Sequence, residues 1–92
     1  MRIHIKQFGT VLSSRPAGKE ALLALRSSLL RDVKKTEELE LDFDGVDALT
    51  PSWADEFVTP LEEEWGDMLH CVNTENPSVM ATLEFLKEIK GG

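Results

Sequence analysis

The chain has 92 residues, of which 41% are hydrophobic and 29% are charged, and a net charge of −7. This is typical of one small globular domain over residues 1–92, and the negative charge disfavours a nucleic-acid partner because phosphates repel it. No apolar run approaches the ~18 residues of a membrane span. The first residues lack the apolar core of a signal peptide, so we expect a cytoplasmic protein with no membrane partner.

The charge is unevenly distributed along the chain. Residues 1–35 carry eight lysines and arginines against two acids, whereas residues 36–92 carry two against fifteen. Two solvated helix faces of opposite sign would explain this asymmetry. A second interpretation is a pair of oppositely charged docking surfaces, with Arg15, Arg26 and Arg31 on the basic one.

The first predicted element is a strand. Hydrophobic and polar residues alternate from Arg2 to Lys6, which indicates a strand over residues 2–8 with one buried face. Gly9 marks a bend or bulge. Residues 10–12 either extend this strand or return along it as a short hairpin arm.

The next segment predicts a helix over residues 16–35. Ser14 is a good N-cap, and Pro16 is tolerated in a first helical turn because its missing N–H had no partner there. Hydrophobic residues then recur at steps of three and four, which is typical of one buried helix face. The residues of this stripe are Leu22, Leu25, Leu29 and Val33.

A second strand is predicted over residues 38–43. Leu39, Leu41 and Phe43 alternate with acidic residues, so we expect these three side chains to face the core. Asp44-Gly45 is a strong turn signal and ends the strand.

Thr50-Pro51 predicts the cap and start of a second helix over residues 51–65. Pro60 removes the hydrogen bond to the Glu56 carbonyl and costs ~3 kcal/mol in a straight helix, so the helix should kink there or end and restart. Gly66 should end it. The apolar stripe of this helix is Ala54, Phe57, Val58, Leu61 and Trp65.

The last two elements are a strand and a helix. Residues 68–73 predict a mostly buried strand, in which Cys71 is a small buried hydrophobe. Asn76-Pro77 repeats the cap-then-proline start, and a helix over residues 77–89 follows. The alternation β-α-β-α-β-α predicts an α/β fold, a single compact domain with a small mostly parallel sheet and about three helices packed on it.

The residue types that serve catalysis or metal binding are present but poorly placed. His70 and Cys71 point to opposite faces of one strand while His4 lies on another, so we predict no metal and no cofactor. Ser52 has no general base near it in sequence, so we do not expect an enzyme. Gly91-Gly92 follows a helix and is interpreted as a frayed end rather than a sulfur-carrier tail.

The stretch from Glu38 to Phe57 is the most informative part of the chain for function. Hydroxyls and carboxylates gather where its loop meets its helix, and an α/β sheet usually presents its binding surface outside the carboxyl end of a strand. The candidate binding residues are Thr50, Ser52, Trp53, Asp55 and Glu56, together with Arg15 at the start of the first helix.

Two segments, FGTVLSSR and LDFDGVDALTPSWADEF, resemble the STAS-like bacterial domain family of unknown function. That family is related in pattern to the anti-sigma-factor antagonist (STAS) domains, and the resemblance extends from about Ile3 to Leu86. It implies a non-catalytic, regulatory, protein-binding domain in a bacterial cytoplasm. The implied partner is an anti-sigma-factor-like or histidine-kinase-like ATP-binding protein.

The resemblance also bears on individual residues. The loop of the antagonists carries a phosphorylatable serine in an Asp-Ser-Ser-Gly-like motif, and alignment on Gly45-Val46 puts Pro51 at the acceptor position. Ser52 and Thr50 therefore remain as weaker candidates for phosphorylation. Arg15 matches a recurrent arginine of the STAS-like pattern, and Asp55-Glu56 matches its acidic pair.

Two alternatives remain open at this point. The chain could be a small-molecule or nucleotide-binding STAS-like module, because free N–H groups at the helix start after Thr50 would attract an anion. A homodimer is also open, because a domain of this size has a modest core.

Overall fold

The computed structural model describes residues 1–34 and 36–91 and shows a two-layer α/β domain. Its helices contribute their apolar faces to the same core as the inner face of a small sheet. The helices are α1 (Arg15–Ser27), α2 (Pro51–Trp65) and α3 (Pro77–Gly91). Within the described residues, none of the helices is long and apolar enough to cross a lipid bilayer.

In the described part of the chain, five short strands form two parallel sheets. The strands are β1 (Arg2–His4), β2 (Val11–Leu12), β3 (Leu39–Asp42), β4 (Ala48–Leu49) and β5 (Leu69–Val72). The larger sheet has the order β1-β3-β5, and the smaller sheet pairs β2 with β4. Every strand pair is parallel, so the α/β fold class predicted from the alternation of elements is confirmed.

The larger sheet has one buried face and one open face. Leu39, Leu41 and Phe43 lie in the core, as their spacing predicted. The opposite face carries the alternate residues of the strands, among them Arg2, which forms an ion pair with Glu40 on the neighbouring strand. The helices therefore cover one side of the sheet, and the other side is polar.

The first strand is shorter than the predicted range of residues 2–8. It ends at His4, and Ile5–Phe8 form a 3-10 turn that keeps Ile5 buried. Gly9 follows with a φ of 131°, a conformation open to glycine but strained for other residues. This redirects the chain, so β2 neither extends β1 nor forms a hairpin arm but pairs in parallel with β4.

The first helix ends at Ser27, well before the predicted residue 35. The hydroxyl of Ser28 donates to the Ala24 carbonyl at 2.7 Å, and such bonds from serine compete with helical ones. The predicted stripe therefore breaks: Leu29 is exposed, and Val33 lies beyond the helix. Lys35 lies outside the described residues.

The second helix runs without a break through Pro60 to Trp65. It does not end and restart at the proline, and the kink expected there stays a prediction. All five residues of its predicted apolar stripe are buried. Gly66 follows the helix with a φ of 55° and ends it, as predicted.

The third helix begins at the predicted cap. The Asn76 side-chain oxygen accepts from the N–H groups of Ser78 at 2.8 Å and Val79 at 3.1 Å. Gly91 is the last residue of this helix, whereas Gly92 lies outside the described residues, so the interpretation of these two glycines as a frayed end is not tested.

The prediction that the last strand is mostly buried is wrong. Leu69 and Val72 are half-buried, and Cys71 is exposed. The reason is that β5 is an edge strand of its sheet, while α3 packs mainly on α2 and β4. Although Cys71 is exposed, desolvation by neighbouring protein atoms, and then the charge of Glu62, raise the pKa of its thiol to about 11.

This raised pKa predicts a slow reaction of Cys71 with iodoacetamide. The thiolate is the reactive form, so at pH 8 the rate should be about two hundredfold below that of a free thiol of ordinary pKa near 8.5. The rate should rise up to about pH 11. Glu62→Gln should raise the rate at pH 8, because it removes the negative charge. A rate at pH 8 equal to that of free cysteine would contradict this prediction.

Candidate functional site

The starts of α1 and α2 lie side by side, next to the end of the two-stranded sheet. The N–H of Thr50 donates to the Leu12 carbonyl at 3.0 Å. The Thr50 hydroxyl donates to the Ser13 carbonyl at 2.8 Å and accepts from the Trp53 N–H at 3.4 Å. One side chain thus caps α2 and ties it to the loop that opens α1, and Ser14 caps α1 itself.

The two helices also approach closely at Gly18. A Cβ atom on Gly18 would lie 2.5 Å from the carbonyl oxygen of Trp53, which is shorter than any normal contact. The two backbones can therefore meet because Gly18 has a hydrogen atom in place of a side chain. This contact holds Arg15, one turn earlier on α1, against the first turns of α2.

Arg15 bridges the two helices. Its Nη1 donates to Asp55 Oδ2 at 2.9 Å and to Glu56 Oε1 at 3.4 Å. The hydrogen bond to Asp55, followed by the one to Glu56, raises the pKa of Arg15 above its ordinary value. Thr59 Oγ1 donates to Asp55 Oδ1 at 3.1 Å. Thr59 is not among the binding residues predicted from the sequence, although its i+4 spacing from Asp55 is the signal for such a bond.

We call the surface formed by Arg15, Ser52, Asp55 and Glu56 the helix-start surface. Its arginine and its aspartate are 52% and 43% exposed at the side chain. Ser52 is half-buried on the first turn of α2. The structure thus brings four of the six sequence-predicted binding residues to one surface, and it places both charge signs there.

The remaining two predicted binding residues serve the fold. Thr50 is half-buried, and its hydroxyl is engaged as a helix cap. Trp53, also a candidate binding residue, is 1% exposed, so its ring offers no exposed edge to a partner. Its ring stacks on Phe57 with centroids 4.7 Å apart. The i, i+4 spacing of these two aromatic residues was the signal that both face the core.

The start of α2 offers little to an anion. Pro51 has no N–H, the Trp53 N–H is bonded to the Thr50 hydroxyl, and the Ala54 N–H is bonded to the Thr50 carbonyl at 3.1 Å. Within the described part of the chain, this leaves the N–H of Ser52. Two carboxylates follow within the next turn, so the local charge is unfavourable to a phosphate.

The three arginines considered as one basic docking surface do not lie together. Arg26 is about 16 Å from Arg15 along α1, and its guanidinium donates to both carboxylate oxygens of Glu64, from Nη1 at 2.8 Å. The hydrogen bond to Glu64 raises the pKa of Arg26. Arg31 lies beyond the helix, so Arg15 alone belongs to the helix-start surface.

A second polar cluster lies at the carboxyl end of the larger sheet. Asp42, only 3% exposed, accepts at Oδ1 from Asn73 Nδ2 at 2.8 Å and from the Asp44 N–H at 2.9 Å. Its Oδ2 lies 3.4 Å from Arg2 Nη1 and 3.3 Å from His4 Nδ1. The bond from Asn73, and then the one from Asp44, lowers the pKa of Asp42. This carboxylate therefore ties together the ends of three strands.

We predict that Asp42→Asn lowers the free energy of unfolding by about 1–3 kcal/mol at pH 7, because the amide cannot accept from every donor that surrounds it. The lowered pKa means that the carboxylate stabilises the fold fully above its ordinary pKa, near 4. This contribution is lost as the pH falls through the folded-state value. Urea denaturation between pH 2.5 and 7 measures the free energy of unfolding of the natural chain and of Asp42→Asn. The difference between these two free energies should shrink below about pH 4.

Asp44→Asn is the matched control for this prediction. Asp44 is exposed, so this substitution should change the free energy of unfolding by less than about 0.5 kcal/mol at any pH. A difference for Asp42→Asn that does not change between pH 7 and pH 2.5 would show that the charge of Asp42 plays no part in stability.

The positions of the histidines do not suggest catalysis at Ser52. His4 and His70 belong to the exposed face of the sheet, on the side away from the helices. Neither therefore faces the helix-start surface. Among the residues that the structure describes, no three histidine, cysteine, aspartate or glutamate side chains gather as a metal site requires.

Comparison with protein-family models shows what the chain is similar to. The model described as "STAS-like domain of unknown function (DUF4325)" matches residues 24–79, which is more than half of the chain and includes β3, β4, α2 and β5. Thr50, Ser52, Asp55 and Glu56 lie inside the matched region, whereas Arg15 lies before it. Searches of curated proteins and of solved structures gave no match.

Proposed function

Because the chain belongs to the family of STAS-like domains of unknown function, we propose that it is a non-catalytic regulatory domain that binds another protein through the helix-start surface. The partner would be an anti-sigma-factor-like or histidine-kinase-like ATP-binding protein in a bacterial cytoplasm. This partner class rests on the similarity in pattern to anti-sigma-factor antagonists.

The observation that carries the proposal is the ion-pair bridge from Arg15 to Asp55 and Glu56. Exposed ion pairs contribute little to stability, so the fold alone gives little reason for three charged side chains in fixed positions. Their positions are set by the backbone contact at Gly18 and by the Thr50 cap. A rigid surface with defined positive and negative positions favours selective binding of a protein with the complementary pattern.

Ser52 gives this surface a means of control. A phosphate on Ser52 would add nearly two negative charges one turn before Asp55 and Glu56, where it would compete for Arg15. A helix N-terminus tolerates such charge, so the fold should survive the modification. Thr50 is the weaker acceptor, because its hydroxyl already donates to Ser13 and caps α2.

The alternative, a small-molecule or nucleotide site at the start of α2, has less support. One N–H remains unbonded there within the described residues, and two carboxylates are close. Titration of the purified protein with ATP and with GTP tests this alternative directly. Saturable binding that Ser52→Glu weakens would favour it over protein binding.

The main test compares partner capture by four purified proteins: the natural chain, Ser52→Glu, Arg15→Glu and Arg31→Glu. Arg31 is 74% exposed and lies past the far end of α1, so it controls for the same charge change elsewhere. We expect both helix-start variants to retain at least fivefold less of a captured protein than the natural chain and the control, with similar thermal unfolding of all four.

Equal capture of the same proteins by all four variants would place the binding site elsewhere on the domain. A large fall in the melting temperature of Ser52→Glu, with capture unchanged, would show that the loop has a structural role alone. Phosphosite mapping by mass spectrometry of the protein from its native host tests Ser52 and Thr50 separately.

A further inference from the structure

The outer edge of β5 presents unpaired backbone groups. The Val72 carbonyl accepts from the Phe43 N–H at 3.0 Å, and in a parallel ladder alternate residues bond to the neighbouring strand. His70 and Val72 therefore face β3, while Leu69 and Cys71 direct their N–H and C=O groups outward. The Leu69 N–H already donates to the Gly66 carbonyl in the turn before the strand, so among the described residues the groups open to a further strand are the Leu69 carbonyl and both the N–H and the carbonyl of Cys71.

This edge lacks several of the features that usually protect an edge strand. Natural sheets block their edges with proline, lysine, bulges or a covering element. The strand Leu69–Val72 contains neither proline nor lysine, and it pairs with β3 in continuous register. The edge is therefore competent to receive a further strand.

A groove of about 530 Å³ lies between this edge and α3; we call it the β5–α3 groove. Leu69, Met80 and Leu83 supply its apolar lining, and Cys71 belongs to it. Met80 is exposed, and methionine adapts its shape to different apolar partners. An extended chain paired with β5 would direct every second side chain into this groove.

The charge of the groove lining indicates which kind of segment would bind there. Glu62 and Glu84 line it against one cation, Lys87, and the chain as a whole has a net charge of −7. A segment that carries lysine or arginine beside its apolar residues complements this lining. A second copy of the chain does not: it brings the same negative charge, and a strand of four residues buries much less than the ~1,200 Å² of a stable dimer.

We infer that the β5–α3 groove binds an extended peptide segment of another protein, with apolar residues alternating with basic ones, as a fourth strand on the edge of β5. Main-chain hydrogen bonds to the Leu69 carbonyl and to the N–H and carbonyl of Cys71 would supply affinity, and the groove would select the side chains. The groove lies at the end of α2, away from the helix-start surface, so this inference does not depend on the proposed function.

The test uses the fluorescein-labelled peptide Lys-Val-Lys-Leu-Lys-Val-Lys in fluorescence anisotropy titrations at 0.15 M salt. A peptide of the same composition without alternation, Lys-Lys-Lys-Lys-Val-Leu-Val, controls for attraction to net charge. We expect the alternating peptide to bind at least fivefold more tightly. It should also slow hydrogen exchange at the Cys71 amide, which a merely electrostatic complex would not do.

Cys71→Pro tests the main-chain pairing. Proline removes the outward N–H but no hydrogen bond to β3, and edge strands tolerate it at such positions. Cys71→Ala is the matched control, because it removes the thiol and keeps the N–H. We expect proline to weaken peptide binding about three- to tenfold, the usual range for one hydrogen bond, and alanine to leave the binding unchanged.

Glu62→Lys and Glu63→Lys test the groove independently, and they decide the matter if the proline variant does not fold. The two glutamates are neighbours, but Glu62 lines the groove and Glu63 does not. Only the first substitution should weaken binding by more than threefold. Equal binding of both peptides to all variants would overturn the inference, as would a dimer in light scattering that does not bind the peptide.

Discussion

Replacing Trp53 by alanine is expected to lower the free energy of unfolding by about 3–5 kcal/mol, the usual effect of removing a buried aromatic side chain. The Trp53 ring stacks on Phe57 and lies 6.4 Å, centroid to centroid, from Phe8. These rings join α2 to the turn after β1, so their neighbours cannot close the resulting cavity without moving two elements. Domains of this kind are stable by about 5–15 kcal/mol, so much of the stability would be lost.

Urea denaturation followed by circular dichroism measures this effect, and Leu23→Ala is its control. Leu23 lies on α1 and is 59% exposed, so its truncation should change stability by less than about 0.5 kcal/mol. Trp53→Phe should lower the free energy of unfolding by an amount between those of Trp53→Ala and Leu23→Ala. The buried ring argues against a role for Trp53 in partner binding. That role would be shown if Trp53→Ala changed the free energy of unfolding by less than about 1 kcal/mol and abolished partner capture.

The parts of the fold that follow from local physics could be predicted from the sequence. Ser14, Thr50 and Asn76 each cap a helix with a side-chain oxygen, as expected. A cap and the proline after it act within one helical turn, so no knowledge of the tertiary structure is needed. The alternation from Leu39 to Phe43 was equally reliable, because a strand with one buried face must alternate.

Two of the errors concern contacts between residues that are far apart in sequence. The pairing of β2 with β4 joins residues 11–12 to residues 48–49, and two-residue strands have too short a pattern to reveal it. The apolar run that contains Cys71 was interpreted as buried, whereas its strand lies at the edge of the sheet. Strand order depends on how the whole chain packs, so the local pattern could not decide between a central and an edge position.

The candidate site was predicted only in part, because it also depends on a contact between residues far apart in sequence. Arg15 and the acidic pair were singled out by pattern, and the structure brings Arg15 to Asp55 over 40 positions of sequence. The contact that makes this bridge possible, at Gly18, was not recognised. Its signal was present, since a glycine within an amphipathic helix lowers helix propensity and often marks a close approach of another element.

Gly18→Ala is therefore expected to destabilise the domain, although alanine is the better helix former. Helix propensity alone predicts a gain of about 1 kcal/mol. The added Cβ, however, would lie 2.5 Å from the Trp53 carbonyl oxygen and 3.1 Å from its Cα. These are backbone atoms of the neighbouring helix and cannot rotate away, so the helices must separate. Overpacking of this kind costs about 1–3 kcal/mol.

The sign of the change in the free energy of unfolding decides this prediction. Ala24→Gly, at an exposed position of the same helix, is the control, and it should lose about 1 kcal/mol through propensity alone. Both substitutions should then lower the free energy of unfolding, although Gly18→Ala adds a methyl group and Ala24→Gly removes one. Separation of the helices should also lengthen the 2.9 Å bond from Arg15 to Asp55, so Gly18→Ala should weaken partner capture while Ala24→Gly leaves it intact. A stabilised Gly18→Ala protein would mean that the helices do not meet at this glycine, and the helix-start surface would lose the contact that fixes its geometry.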